Sequence, residues 1–185
     1  MTGELRQEKL ESFGYGPAML SAALRPFPKK MWLYKPALER WSIHEIILHL
    51  ADSEASGYVR CRRLIAEPAS SGEEFDAARW AGSLGYFYQS TREALEIIRR
   101  LRKMTYQLLV RLPESVWSRR AENPLDGNLS LEDWMECQER HIPHHIEQMK
   151  QNYTIWRDAH PPRKSASSPP RPNAPSRIIS ISAGI

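Results

Sequence analysis

The stretch LEDWMECQERHIPHHIEQMKQNYTIW, residues 131–156, decides the fold. Wound as a helix at about 100° per residue, it places Leu131, Trp134, Met135, Ile142, Met149, Tyr153 and Trp156 on one apolar stripe. His141 and His145 lie inside that stripe, one turn apart, while His144 points away. Two imidazoles at i, i+4 on a buried face can reach one metal ion. His49, at the edge of another helix's stripe, offers a third nitrogen. Three neutral imidazoles with coordination positions left for water or substrate form a catalytic pattern rather than a closed structural one. A lone histidine on such a stripe is ordinarily a hydrogen-bonded core residue, and helical spacing alone does not bring His49 to the pair.

Capping boxes mark three helix starts. Ser42 and Glu45 open the helix that carries His49, with Trp41 and Ile46 as a hydrophobic staple. Ser130 and Asp133 open the 131–156 helix, with Leu129 and Trp134 as staple. Ser90 and Glu93 open a helix between them, whose stripe is Ala94, Ile97, Ile98, Leu101, Met104, Thr105, Leu108 and Leu112. Arg99, Arg100, Arg102 and Lys103 read as its solvated flank. Near the N-terminus, Gly16-Pro17 reads as the start of a helix over Ala18 to Leu24, with weakly amphipathic Leu5 to Phe13 extending or preceding it. Four principal helices without convincing strands predict an all-α four-helix bundle. The linkers 67–89 and 113–129 are long enough to form a lid or rim. Phe75, Trp80, Tyr86, Phe87 and Tyr88 in the first are dense enough to cover something apolar.

Glu54 lies inside the second helix's stripe, where a lone carboxylate is expensive to bury. It either orients a ligand imidazole, shuttles a proton, or pairs with an arginine such as Arg60 or Arg100. Glu54 and Gln148 are the candidate catalytic residues. Gln138 and Gln148 flank the histidine pair and suit hydrogen bonds to it or to a metal-bound water. Cys137, one turn before His141, reads as a small buried residue. Pro143, between the two ligands, removes a backbone hydrogen bond and favours a kink.

The chain has 185 residues, enough for one domain with a real core. From Ala159 to Ile185 it carries four basic residues (Arg163, Lys164, Arg171, Arg177) and no acidic ones. They account for the whole formal charge of +4, so the body is neutral and lacks a nucleic-acid footprint. Residues 1–158 are expected to form the helical domain, and 159–185 a Pro/Ser-rich basic flexible tail. No apolar run is long enough to span a membrane, and two cysteines give no disulfide framework. A cytoplasmic setting is expected.

Trp41-Ser42, then Glu45, then His49-Leu50-Ala51-Asp52-Ser53-Glu54, and finally His141-x-x-x-His145-x-x-Gln148 together resemble the DinB/YfiT-like superfamily of metal-dependent proteins over residues 17 to 156. The resemblance implies an up-down-down-up four-helix bundle with a long crossover between the second and third helices, where residues 67–89 lie. It assigns the metal to His49, His141 and His145, with nickel or zinc as the first choices of divalent ion and iron or manganese after them. Characterised relatives include transferases and isomerases that use mycothiol, bacillithiol or glutathione. The subgroup's additional histidine before the fourth helix falls on Asn123 here, so its role does not carry over. The expected function is a metal-dependent enzyme, a thiol-dependent S-transferase in the finer reading. Its partners would be a small-molecule substrate, a low-molecular-weight thiol and, in a homodimer, a second copy. The alternative is a metal-containing binding or stress-response protein without turnover, and a third reading keeps the histidines structural.

Overall fold

Each of the three serine caps starts a helix in the structure, a computed structural model that describes residues 1–67, 76–118, 120–123 and 127–161. Ser42 and Ser130 form reciprocal capping boxes with Glu45 and Asp133, opening α2 (Ile43–Ala66) and α6 (Leu131–Ala159). Ser90 accepts the Glu93 amide and opens α4 (Thr91–Leu109). The remaining long helix, α1 (Gly3–Leu24), is capped by Thr2 and runs unbroken through Pro17. The expected start at Gly16-Pro17 is therefore corrected. Proline deprives the Phe13 carbonyl of its i+4 amide partner, and a side chain from α4, Arg102, donates to that carbonyl instead at 3.4 Å.

The packing gives the connectivity. Leu10 and Phe13 of α1 share a cluster with Leu131 and Met135 at the start of α6, while Leu20 and Leu24 join Ile146 and Met149 near its end. Helices α1 and α6 therefore run parallel. By the same comparison, Ile46 and Leu50 meet Ala94 and Ile98, and Cys61 and Leu64 meet Leu109, so α2 and α4 are parallel to each other. The early turns of α1 meet the late turns of α4, which makes the pairs antiparallel. The result is the up-down-down-up bundle.

The crossover between α2 and α4 contains the short helix α3 (Ala77–Ser83) and a 3-10 turn at Tyr86–Tyr88. Gly85, with φ of 58°, makes the left-handed bend between them. Only Tyr86 of its described aromatic residues is buried. Its hydroxyl donates to Asp52 at 2.6 Å and its carbonyl accepts from His44 Nε2 at 2.8 Å, which stitches the crossover to α2. Trp80, Phe87 and Tyr88 are exposed, and Phe75 lies outside the described residues.

Helix α5 (Glu114–Trp117) and an antiparallel ribbon, β1 (Arg120–Asn123) and β2 (Gly127–Ser130), fill the second linker. The absence of strands expected from sequence fails at this ribbon, which leaves the four-helix core all-α. It delivers the chain straight into the Ser130 cap of α6. Cys137 is exposed rather than buried, and Cys61 is the buried thiol. The tail expected over residues 159–185 lies outside the described residues from 162 onward, and Ala159 still belongs to α6. No helix among the described residues is long and apolar enough to cross a membrane.

The interior face of α4 is Ala94, Ile98, Arg102, Thr105 and Leu109, with Ile97 and Met104 turned outward. Arg102 is thus fully buried, not part of a solvated flank. Its Nε donates to Glu54 Oε2 at 3.0 Å and its Nη2 to Glu54 Oε1. Nη1 reaches the carbonyls of Phe13 and Gln138, and the guanidinium lies 4.0 Å from the Phe13 ring centroid. One side chain from α4 therefore holds α1, α2 and α6 at one level.

Removing one partner of a buried ion pair leaves an uncompensated charge. Arg102→Met should cost about 3–5 kcal/mol, read as a lower midpoint in urea unfolding. The double variant Arg102→Met, Glu54→Leu should recover more than half of that loss. A single-variant cost below about 1 kcal/mol would remove the pair from any organising role.

Candidate metal centre

The antiparallel packing of α2 on α6 sets the early turns of α2 against the middle of α6, where Ile46 and Leu50 share a cluster with Ile142 and Ile146. His49, in the second turn of α2, thereby meets His141 and His145 of α6. Their Nε2 atoms converge: His49 to His141 is 3.2 Å, and His141 to His145 is 3.1 Å. One ligand atom from each of the three lies within 4.8 Å of the others. The rings stand steeply to one another, at 64–82°, so each presents an edge rather than a face to the common point.

Two of the second nitrogens have polar neighbours outside the cluster. His145 Nδ1 donates to Gln148 Oε1 at 2.9 Å, and His141 Nδ1 lies 3.4 Å from Ser53 Oγ. The Gln148 oxygen, which can only accept, selects the His145 tautomer whose Nε2 lone pair turns inward, and the Ser53 hydroxyl is compatible with the same tautomer of His141. Lone pairs aimed at one point repel unless something electropositive lies between them. Two nitrogens each about 2.0–2.1 Å from one ion sit about 2.9–3.4 Å apart, and the two closest separations fall in that range. The donor set fits a divalent cation.

Electrostatics favour the same state. Burial, with His145 nearby, lowers the His49 pKa to about 3, and burial with the other two imidazoles lowers His141 to about 3. Burial lowers His145 to about 4 against the opposing Gln148 hydrogen bond. All three are neutral near pH 7, the form that ligates a metal. His144 is exposed and accepts a hydrogen bond from Gln148 Nε2 at 2.9 Å, so Gln148 spans both histidines. His44 serves the crossover, not this cluster.

Glu54 is buried, and both its oxygens go to Arg102. Burial pushes its carboxyl up while the guanidinium pulls it back down, and a permanently protonated arginine keeps it as the counter-ion. The structure thus gives Glu54 the ion-pair role among the three that sequence left open, with Arg102 rather than Arg60 or Arg100 as partner.

Two neighbours that the sequence motif contains, Ser53 and Trp41, have no place at the site in the sequence reading. Ser53 lies one turn after His49 on the same helix face, so i, i+4 spacing carried a signal. Trp41 precedes the helix cap, where its staple spacing to Ile46 announces packing on α2 but not contact with the histidines. Its indole packs 4.6 Å from the His49 ring and lies within 17° of parallel to His145, at 6.3 Å. Beside Trp41 opens a cleft of about 330 Å³, lined by Glu39, Arg40, Trp41, Gln148, Gln151 and Asn152. The wall next to the histidines is therefore polar.

Comparison with known proteins agrees with this architecture. The family model of the DinB superfamily matches residues 13–149. A protein of Oceanobacillus iheyensis, named provisionally as a metal-dependent hydrolase, is 29% identical over 107 residues, 57% of this chain and 61% of that protein. The chain thus spans about three fifths of that relative's length. YfiT from Bacillus subtilis, described as a candidate metal-dependent hydrolase with an unusual four-helix bundle topology, superposes with a TM-score of 0.77. That match covers 84% of this chain and 90% of YfiT at 18% identity, a likeness of fold. By the extent of the family match, this chain belongs to the DinB superfamily.

Proposed function

We propose that the chain is a metal-dependent enzyme acting on a small molecule, with a divalent ion held by His49, His141 and His145. The observation that carries this reading is the convergence of three neutral imidazoles, two of whose Nε2 separations are 3.1 and 3.2 Å. Nickel and zinc suit a nitrogen-rich set of this kind. A bound ion there supplies Lewis acidity, which lowers the pKa of a coordinated thiol or water. The chain's own residues do the rest. Gln148 fixes the His145 tautomer, Ser53 is compatible with the same one in His141, Trp41 shields one side from water, and the polar cleft offers room for the non-reacting part of a substrate.

The finer reading is thiol-dependent S-transfer. Both oxygens of Glu54 are engaged by Arg102, so it is poorly placed to act as a general base. A thiol needs less help from a protein base than water does, because its own pKa is lower. In the reaction the thiol proton passes to solvent and the sulfur forms a bond to an electrophilic carbon. The leaving group departs with the electron pair of the broken bond. Gln148 serves here as a positioning residue for His145, and Glu54 as one for helix α2. A second reading, hydrolysis, is favoured by the names of the two relatives.

Purified chain should take up one divalent ion per molecule, measured by elemental mass spectrometry. His145→Ala should abolish uptake, whereas His144→Ala should leave stoichiometry unchanged. Equal loss in both would mean that the ligand face has been misassigned. With metal loaded, turnover should appear with glutathione, bacillithiol or mycothiol and a chlorinated aromatic or haloalkane, and vanish in His141→Ala. Thiol-independent hydrolysis of ester or amide substrates, with no thiol transfer above background, would replace the transferase reading by the hydrolase one.

A further inference from the structure

The cleft beside the histidines is built from charges and carboxamides, and its chemistry selects a ligand. Arg40 is half-buried in its wall, and its Nη2 donates to Gln151 Oε1 at 3.0 Å. A guanidinium carries five N–H donors in a planar fork, so most of its hydrogen-bonding capacity remains available. Asn152 is buried and spends one amide N–H on the Trp41 carbonyl at 2.8 Å. Its amide oxygen and second N–H are what it can offer a ligand. Gln148 holds His145 and His144, and retains a second N–H. Trp41 and Gln148 are walls common to the cleft and the histidine cluster, Trp41 against the His49 ring and Gln148 against His145 Nδ1, so the cleft opens on the outer side of those two imidazoles.

The charge pattern narrows the ligand further. Glu39, exposed on the cleft wall, disfavours every anion, and a doubly charged phosphate more strongly than a single carboxylate. A single planar carboxylate matches the Arg40 fork in a two-point hydrogen bond. The carboxamides suit the polar body of the same molecule.

We infer that this cleft is the carboxylate subsite of the metal centre, with Arg40 as the anchor. The substrate class is then a small carboxylic acid whose reactive end reaches His49, His141 and His145. This inference rests on the metal-centre reading above, but the anchor itself is separate from the ligands.

The test uses full-length protein loaded with Co²⁺ and two probes, 3-mercaptopropionate and its uncharged methyl ester. The sulfur-to-cobalt absorption band, followed by titration, gives an apparent affinity for each. Wild type should bind the acid at least about tenfold more tightly than the ester, as expected of a two-point charged contact. Arg40→Met should bring the two within about threefold while Co²⁺ stoichiometry stays the same. No preference in wild type, or an undiminished preference in Arg40→Met, overturns the assignment. A second arm needs no metal: chelator-treated protein is titrated with glutarate and followed by ligand-observed NMR. Saturable binding lost in Arg40→Met supports the subsite even if Co²⁺ is not taken up, in which case the metal reading alone falls. Absence of saturation, with normal Co²⁺ uptake, removes the subsite and leaves the metal reading standing.

Discussion

The buried guanidinium of Arg102 is the constraint to which the rest of the bundle is fitted. A charge in a protein interior is tolerated only when its donors are met. Here they are met by both oxygens of Glu54 and by the carbonyls of Phe13 and Gln138. The partners come from three different helices, so the arginine sets the level of each against α4. The polar layer lies between two apolar clusters, one gathering Leu20, Ile47 and Met149, the other Leu10, Cys61 and Met135. Apolar packing alone tolerates sliding of one helix along another, because it is non-directional. A guanidinium with fixed donor directions does not.

That register reaches the histidines through short covalent paths. Glu54 directly follows Ser53, whose hydroxyl lies beside His141 Nδ1. Gln138 precedes His141 by three residues on the same helix, and its side chain fills the space left by Gly57 of α2, where a Cβ would come within 3.3 Å. Helices α2 and α6 are thus held together by the ion pair and by a close approach that glycine permits. A shift of one helical turn, about 5.4 Å, would carry His49 beyond reach of its partners. The specificity of the site is in this sense built one layer below it.

Much of this could be read from sequence because it is local. A serine three residues before an acid can satisfy the orphan amides of a helix start, and Ser42, Ser90 and Ser130 each cap a helix. The 3.6-residue stripe of α6 likewise turned His141 and His145 inward. What sequence could not show depends on partners distant along the chain. Arg102 sits among four cations within five residues and looks solvated until Glu54, 48 positions away, is brought opposite it. Pro17 looks like a helix start because its missing hydrogen bond is compensated only by that same arginine. Strands β1 and β2 pair their backbones without an alternating apolar pattern to announce them. Trp41 lies in a loop, where no periodicity applies.

The surroundings of the histidines also bear on what chemistry the site can host. An apolar roof from the 67–89 crossover would have favoured an apolar electrophile held above the cluster. Instead, Tyr86 ties the described part of that segment to Asp52 and His44, while Phe87 and Tyr88 face outward. The cluster is bordered by an indole on one side and by a cleft carrying Arg40 and three carboxamides next to it. A polar molecule can be oriented there through several directed hydrogen bonds, whereas an apolar one would be held by Trp41 alone. Binding energy from the non-reacting part of a substrate is what positions its reacting atoms. If the chain is the enzyme proposed above, the polar cleft places selectivity in the end of the substrate remote from the histidines, and the reacting end can remain chemically simple.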